Sequence, residues 1–328
     1  MKAVVLGATG FIGSHIVRAL NREGIPVRIV RRSSSPTLAL QDLKFEEAHG
    51  DLDDFESLKS ALAGCQVLFH AAGYYPLYSF DPERQRARAR LQMEHVIRAA
   101  ESAGLERIIY TSSMSTIGKR TDGQPADETT PYDAHAMRGL YYDIKHELEE
   151  KVLTAVPLGF PAVVINPTAV FGDFDIKPTS GRLIVSIAQK KVPFIADARL
   201  NVVDVRDVAN AQVAALHMGQ IGRRYILGGN NTTAWELAQL IARLAKVRPP
   251  LARVPLPLLS AAAIGSEILG KYLLHQDRPL VPRVGIDFLR HGTHYDVTRA
   301  RQELGMRTTP MEETLDRSLH WFRSHHYI

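Results

Sequence analysis

The segment Leu6-Gly7-Ala8-Thr9-Gly10-Phe11-Ile12-Gly13 constrains this chain more than any other. It follows a short apolar run, Lys2–Leu6, and opens a helical pattern, Phe11–Arg22. A strand, a glycine-rich turn and a helix in that order begin a βαβ unit. Gly7 permits the tight turn, Gly10 lets a pyrophosphate approach the backbone, and Gly13 lets helix and strand pack closely. The helix N-terminus then offers unpaired N–H groups and the positive end of its dipole to a phosphate. The spacing is Gly-x-x-Gly-x-x-Gly instead of the tighter Gly-x-Gly-x-x-Gly, so its context carries the inference. In that context Gly7, Thr9, Gly10, Phe11, Ile12 and Gly13 are expected to hold a dinucleotide.

The following residues repeat the βαβ rhythm. Val27–Val30, Lys44–Glu47, Val67–His70, Arg107–Thr111 and Ala162–Asn166 are short, apolar and often β-branched, as buried parallel strands should be. Helical patterns lie between strands at Asp54–Leu62, Pro82–Ala103 and Ala134–Ala155, the first opened by a capping-box variant from Asp53 and Glu56. Such alternation predicts an α/β fold, a parallel sheet covered on both faces. After Pro167 the rhythm breaks. Helices are expected at Arg182–Lys190, Asp207–His217, Trp235–Ala245, Leu258–Tyr272 and Met311–Phe322, with strands at Val202–Val205 and Tyr225–Leu227. This divides the chain into a dinucleotide-binding domain, 1–166 plus about 201–228, and a smaller substrate lobe, about 167–200 and 229–328. Two domains suit 328 residues at about 150 residues each.

Composition excludes several alternatives. With 45% hydrophobic and 23% charged residues the chain has an ordinary globular composition and is not a disordered one. One cysteine, Cys65, rules out an intramolecular disulfide and a cysteine-rich zinc site. It precedes an apolar strand and reads as a small core residue. His291-x-x-His294 has ligand-like spacing but no evident third ligand, so no metal site is assigned. The net charge of +5 is scattered. Even Arg84, Arg86, Arg88 and Arg90, spaced by two, spread around a helix, so nucleic acid is not the expected partner. No secretory leader precedes the first strand, and Val254–Ser266 is too short for a membrane span. A cytoplasmic protein is the expectation.

The second strand should end beside the adenosine ribose, where an NAD-binding fold carries a carboxylate. Here the sequence is Val30-Arg31-Arg32-Ser33-Ser34. Two guanidiniums and two hydroxyls suit a 2′-phosphate, so NADP is the expected cofactor, with NAD the alternative. Asp51 and Leu52 are placed beside the adenine, and Ala71-Ala72-Gly73 where the cofactor backbone passes.

Tyr141 and Lys145 form the chain's sole Tyr-x-x-x-Lys, one helical turn apart. Tyrosine acting as acid or base near neutrality must titrate about three pH units below 10, roughly 4 kcal/mol. One ammonium about 4 Å away, at an effective dielectric of about 20, supplies that. The fifth strand ends in Thr111-Ser112-Ser113, and strand C-termini line the ligand crevice of such sheets. Ser113, ahead of Ser112, is expected to hold a substrate carbonyl oxygen while Tyr141 moves its proton. Tyr74, Tyr75 and Tyr78 follow the fourth strand and could either line a substrate pocket or cover the core.

Taken in order, Gly7-x-x-Gly10-x-x-Gly13, Ala71-Ala72-Gly73, Thr111-Ser112-Ser113, Tyr141-x-x-x-Lys145 and Asn166-Pro167 resemble the extended short-chain dehydrogenase/reductase family along nearly the whole chain. Val164–Gly172 followed by Asp175-Ile176-Lys177-Pro178-Thr179 resembles its dihydroflavonol-4-reductase-like branch, and within it the hopanoid-associated sugar epimerases. The resemblance implies a Rossmann-type doubly wound sheet with a smaller C-terminal α/β substrate lobe. It implies Tyr141 as acid/base, Ser113 as carbonyl-binding hydroxyl, and Lys145 on the nicotinamide ribose. It also implies backbone at Asn166, Pro167 and Thr168 facing the nicotinamide, and a homodimer through Pro82–Ala103 and Ala134–Ala155, where Leu91, His95 and Arg98 recur at helical spacing. Three positions depart from the family: Leu6 where a threonine is usual, Ala89 where an asparagine is frequent, and Asp204 for a common histidine. The expected activity is NADP-dependent reduction of a ketone or aldehyde. The alternatives are a nucleotide-sugar epimerase or dehydratase and a non-catalytic NADP-binding regulator.

Overall fold

The structure, a computed structural model, describes residues 1–73, 79, 81–135, 137, 139–196, 198–258 and 289–328. Tyr74, Tyr75, Tyr78 and all but Leu258 of the expected helix Leu258–Tyr272 lie outside them. β1 (Ala3–Leu6), β2 (Val27–Arg31), β3 (Glu46–His49), β4 (Val67–His70), β5 (Arg107–Thr111), β6 (Ala162–Pro167) and β10 (Arg224–Leu227) form one parallel sheet. Its order is β10-β6-β5-β4-β1-β2-β3. The order reverses beside β1, and in open α/β sheets ligands enter the crevice at that point. Register fixes what meets there. Leu6 lies opposite Val30 on one side and His70 on the other, so Gly7, Arg31 and Ala71 follow at the same level of the sheet.

Alternate residues of β1 serve different layers. Ala3 and Val5 pack with Ile16, Val17 and Leu20 of α1 (Phe11–Arg22) and Val208 of α6 (Val205–Met218). Val4 and Leu6 pack with Leu58 and Leu62 of α2 (Phe55–Leu62), Met93 and Val96 of α3 (Pro82–Ser102), and Ile144 and Leu148 of α4 (Leu140–Ala155). Both faces are thereby covered, which is why β1 and β4 carry no exposed position.

Local chemistry corrects some expected boundaries. Asp54, not Asp53, caps α2, its carboxylate accepting from the Glu56 and Ser57 amides. Asp53 instead pairs with Arg88. α4 starts at Leu140, not Ala134, because Gly139 has φ +144°, a conformation no helix contains. β3 lies two residues later than expected, at Glu46–His49.

The remaining elements are β7 (Ala169–Phe171), α5 (Gly181–Ala188), β8 (Phe194–Ala196), β9 (Arg199–Asp204), β11 (Asn230–Thr233), α7 (Ala234–Ala245), β12 (Ala252–Val254), α8 (Thr298–Leu304) and α9 (Met311–Ser324). β9 pairs with β7 and β11 in a second sheet, and β12 pairs with β8. The chain therefore returns to the main layers at α6, a few residues beyond 201. α8 was not legible as a helix and packs Ala300 and Leu304 into the α1–α6 core. The expected stripe of Leu315, Leu319 and Phe322 on α9 is fully buried, against Ile184, Leu237 and Ile241. Ion pairs join the two parts: Asp173 reaches Arg206 (2.9 Å) and Arg317 (3.3 Å). Arg317 also pairs with Asp204, the N-cap of α6.

Candidate active site

A cavity of about 570 Å³ opens where the strands around β1 end. Gly7, Thr9, Gly10 and Phe11 line it from the glycine turn, Arg31 and Arg32 from the end of β2, Asp51 and Leu52 from beyond β3, and Ala71, Ala72 and Gly73 from beyond β4. Gly7 has φ +83°, and a Cβ there would lie 2.7 Å from the Ala71 carbonyl. A Cβ on Gly13 would sit 2.0 Å from the Gly7 oxygen, so Gly13 acts through close packing while Ile12 and Gly13 stay off the cavity wall. α1 has Gly10 as N-cap, which has no side chain to cap its first amides. A glycine cradle leading to an uncapped helix N-terminus fits a pyrophosphate.

The two arginines differ. The Arg31 guanidinium pairs with Glu47 at 2.8 Å and donates to the carbonyls of Arg32, Ser33 and Ser35 at 3.3–3.5 Å. It holds the turn after β2 in shape, and Glu47 offsets its charge. Arg32 is exposed at the cavity wall. The wall includes residues that sequence reading missed: Arg88 and Gln92 of α3, and Phe174, Asp175, Ile176 and Lys177. Gln92 lies one turn beyond Ala89, donates to Asp53 at 2.9 Å, and brings an amide to the wall where Ala89 is buried.

At the ends of β5 and β6 the expected trio meets. The Tyr141 hydroxyl donates to Ser113 Oγ at 3.3 Å. Ser113 caps the 3₁₀ turn Met114–Thr116, its Oγ accepting from the Ser115 amide at 3.2 Å, which aims the side chain. Ser112 is turned away. Its Oγ is buried with no hydrogen-bond partner among the described residues, and its carbonyl accepts from Lys145 Nζ at 3.4 Å. The electrostatics differ from the expectation. Burial pushes the Tyr141 phenol above its ordinary value, against hydrogen bonds with Ser113 and Ser115. Burial also pulls the Lys145 ammonium down to about 7, with Glu149 opposing. Desolvation is the largest cause at both groups.

Asn166, Pro167 and Thr168 are buried behind this trio, away from the cavity wall. The Asn166 amide nitrogen lies within hydrogen-bond distance of Glu149 Oε2 (2.6 Å), Thr116 Oγ1 (2.9 Å) and the Ser113 carbonyl (3.1 Å). Thr168 donates to Asn201 at 2.8 Å. His70, at the end of β4, stacks on Tyr110 with ring centroids 5.5 Å apart and is kept neutral by burial and by Lys145, its value down to about 3. Neither Glu149 nor His70 was singled out, although Glu149 continues the Tyr141–Lys145 face at the next i+4 step.

Other candidates separate in space. His291 meets the Tyr142 ring at 4.7 Å, while His294 lies 3.0 Å from the Thr232 carbonyl, so the two do not converge. Among the described residues no group of three His, Cys, Asp or Glu could hold a metal. Cys65 is a buried core residue. Among those residues no helix is long and apolar enough to cross a membrane. Of the expected seam, His95 lies 2.9 Å from the Leu52 carbonyl and Arg98 stacks over Phe55, while Leu91 and Arg98 are exposed.

Residues 3–228 match the NAD dependent epimerase/dehydratase family. A Synechocystis protein named "Putative dihydroflavonol 4-reductase" is 34% identical over 99% of this chain and 95% of its own length. Sterol demethylase protein B of Methylococcus capsulatus is 28% identical over 98% of both chains. The crystal structure of a nucleoside-diphosphate-sugar epimerase from Pseudomonas aeruginosa superposes with a TM-score of 0.85 at 27% identity, covering 100% of this chain and 99% of that one. With the Rossmann-type sheet in place, this chain belongs to the NAD-dependent epimerase/dehydratase family and is an NAD(P)-dependent enzyme of the extended short-chain dehydrogenase/reductase type.

Proposed function

We propose that this enzyme reduces a ketone or aldehyde with NADPH. The observation that carries the reading is the 3.3 Å hydrogen bond from Tyr141 to Ser113, with Lys145 one turn along α4. The glycine turn and α1 would hold the pyrophosphate, Arg32 and Arg31 the 2′-phosphate, Asp51 and Leu52 the adenine, and Lys145 the nicotinamide ribose. Ala71–Gly73 would border the cofactor backbone, and the backbone at Asn166–Thr168 would face the nicotinamide. When bound, the dinucleotide supplies a hydride for a carbonyl carbon. Ser113 donates to the substrate oxygen, and Tyr141 delivers its phenol proton to that oxygen. A phenol held above its ordinary value is fully protonated at neutral pH, which suits the reducing direction. The Lys145 ammonium steadies the tyrosinate left behind.

A nucleotide-sugar epimerase is the second reading. It is supported by the likeness to the P. aeruginosa structure and by Glu47, which offsets one of the two cations at the ribose end. An epimerase restores its cofactor each turnover and gains nothing from the NADPH pool. A non-catalytic regulator has no use for the Tyr141–Lys145 pair. The test follows NADPH absorbance over a panel of carbonyl compounds with wild type and Tyr141→Phe. The variant should fold normally and lose about 10²–10⁴-fold in turnover. Undiminished turnover on a substrate the wild type accepts would remove Tyr141 from the mechanism. We further propose a homodimer through α3 and α4, for which light scattering at micromolar concentration should read twice 36.4 kDa.

A further inference from the structure

The α4 helix presents Tyr141, Lys145 and Glu149 at successive i+4 steps, hence on one face. Glu149 is 1% exposed. A carboxylate so deep is costly unless paired, and even a paired one seldom stabilises a fold more than apolar packing would. Stability is therefore a poor reason for its presence. Its partners come from three other elements. Arg224 of β10 forms an ion pair with Oε1 at 3.0 Å, while Oε2 accepts from Thr116 (2.8 Å), just past β5, and from Asn166 of β6 (2.6 Å). Those same two side chains reach the Ser113 carbonyl, at 3.0 and 3.1 Å. The carboxylate thus reaches, through one side chain on each path, the peptide that carries the Ser113 hydroxyl.

The charge has a second target. Lys145 is buried, Glu149 follows it one turn along the same helix, and its charge is felt at His70 of β4. His70 is neutral, so Glu149 is the group that opposes the pull of burial on the ammonium. Among the described residues Arg224 forms the ion pair with Glu149, and Lys145 lies one turn before it on α4.

We propose that Glu149 is a positioning residue, which sets the Ser113 peptide through Thr116 and Asn166 and holds the Lys145 ammonium by its charge. This rests on the Ser113–Tyr141–Lys145 reading above. Removing the charge lets Lys145 lose its proton at lower pH. Removing the Arg224 cation leaves Glu149 unopposed and does the reverse. Opposite signs from two substitutions in one ion pair cannot arise from loosened packing.

The experiment follows the Lys145 13Cε resonance against pH in protein labelled with 13C-lysine, the signal being identified by its loss in Lys145→Met. Glu149→Gln should lower the Lys145 midpoint by about one pH unit or more. The high-pH limb of kcat should move down with it. Arg224→Gln should raise the midpoint. Should Glu149→Gln fail to fold, Arg224→Gln carries the test alone. Midpoints unchanged from wild type, whatever the melting temperatures, overturn the proposal. The titration needs no substrate. A moved midpoint beside an active Tyr141→Phe therefore sinks the catalytic reading and keeps the coupling. An inactive Tyr141→Phe with fixed midpoints does the opposite.

Discussion

Replacing Lys145 by methionine should make the protein more stable while abolishing its activity. Lys145 is 5% exposed, and burial lowers its ammonium from 10.5 to about 7. At 1.36 kcal/mol per pH unit, keeping it charged in the fold costs about 5 kcal/mol. The sign follows from proton counts. Between pH 7 and 10.5 the unfolded chain retains a proton that the folded chain releases, so stability climbs with pH through that window. Below pH 7 both forms are charged and the full cost stands. From pH 7 to pH 9 the gain is about 2 kcal/mol. Methionine fills similar space without charge, and Glu149 keeps its Arg224 partner. Among the contacts given up are a long hydrogen bond, 3.4 Å, to the Ser112 carbonyl and the attraction of Glu149. The variant should therefore gain a few kcal/mol at pH 7, with about 5 as the ceiling, and lose the Lys145 part of the climb. Urea unfolding at pH 7 and 9, with unchanged m, reads both. A variant less stable than wild type at pH 7, or a difference equal at the two pH values, would refute the reasoning.

Two further substitutions test the cofactor end. If Arg32 holds the 2′-phosphate as proposed, Arg32→Asp should cost a charge-assisted contact of roughly 1.5–3 kcal/mol and weaken NADP⁺ about 10- to 100-fold with NAD⁺ little changed. Arg31→Asp should shift preference the same way and also lower the melting temperature, because Glu47 then faces a carboxylate and the Arg32–Ser35 carbonyls lose their donor. Isothermal titration decides both, and tighter wild-type binding of NAD⁺ than of NADP⁺ would promote the epimerase reading. In Gly13→Ala the new Cβ meets backbone, not a movable side chain, 2.0 Å away at the Gly7 oxygen. It should cost roughly 1–3 kcal/mol or more and weaken dinucleotide binding, and a variant that melts and binds like wild type would show that α1 can move aside.

What the chain's own order determined is local in origin. Gly7, Gly10 and Gly13 announce a tight turn closely packed on a helix, and α1 runs over the expected Phe11–Arg22 because its apolar period starts where the turn ends. Apolar strands between helical stretches suffice for a parallel sheet, since no other arrangement covers both faces of such strands. Tyr141 and Lys145 are legible together because one helix carries them both. Other features depend on which strands become neighbours. Asp53 has the composition of a cap, but Arg88 and Gln92 of α3 claim it while Asp54 takes the helix end. Arg31 resembles a free phosphate ligand until β3 pairs with β2 and brings Glu47 beside it. Glu149 resembles a surface residue of a charged helix until β5, β6 and β10 set Thr116, Asn166 and Arg224 around it. The titration of Lys145 and Tyr141 is of the same kind. Spacing predicts attraction between them, but the desolvation that dominates exists only once the sheet and its helices have closed over both.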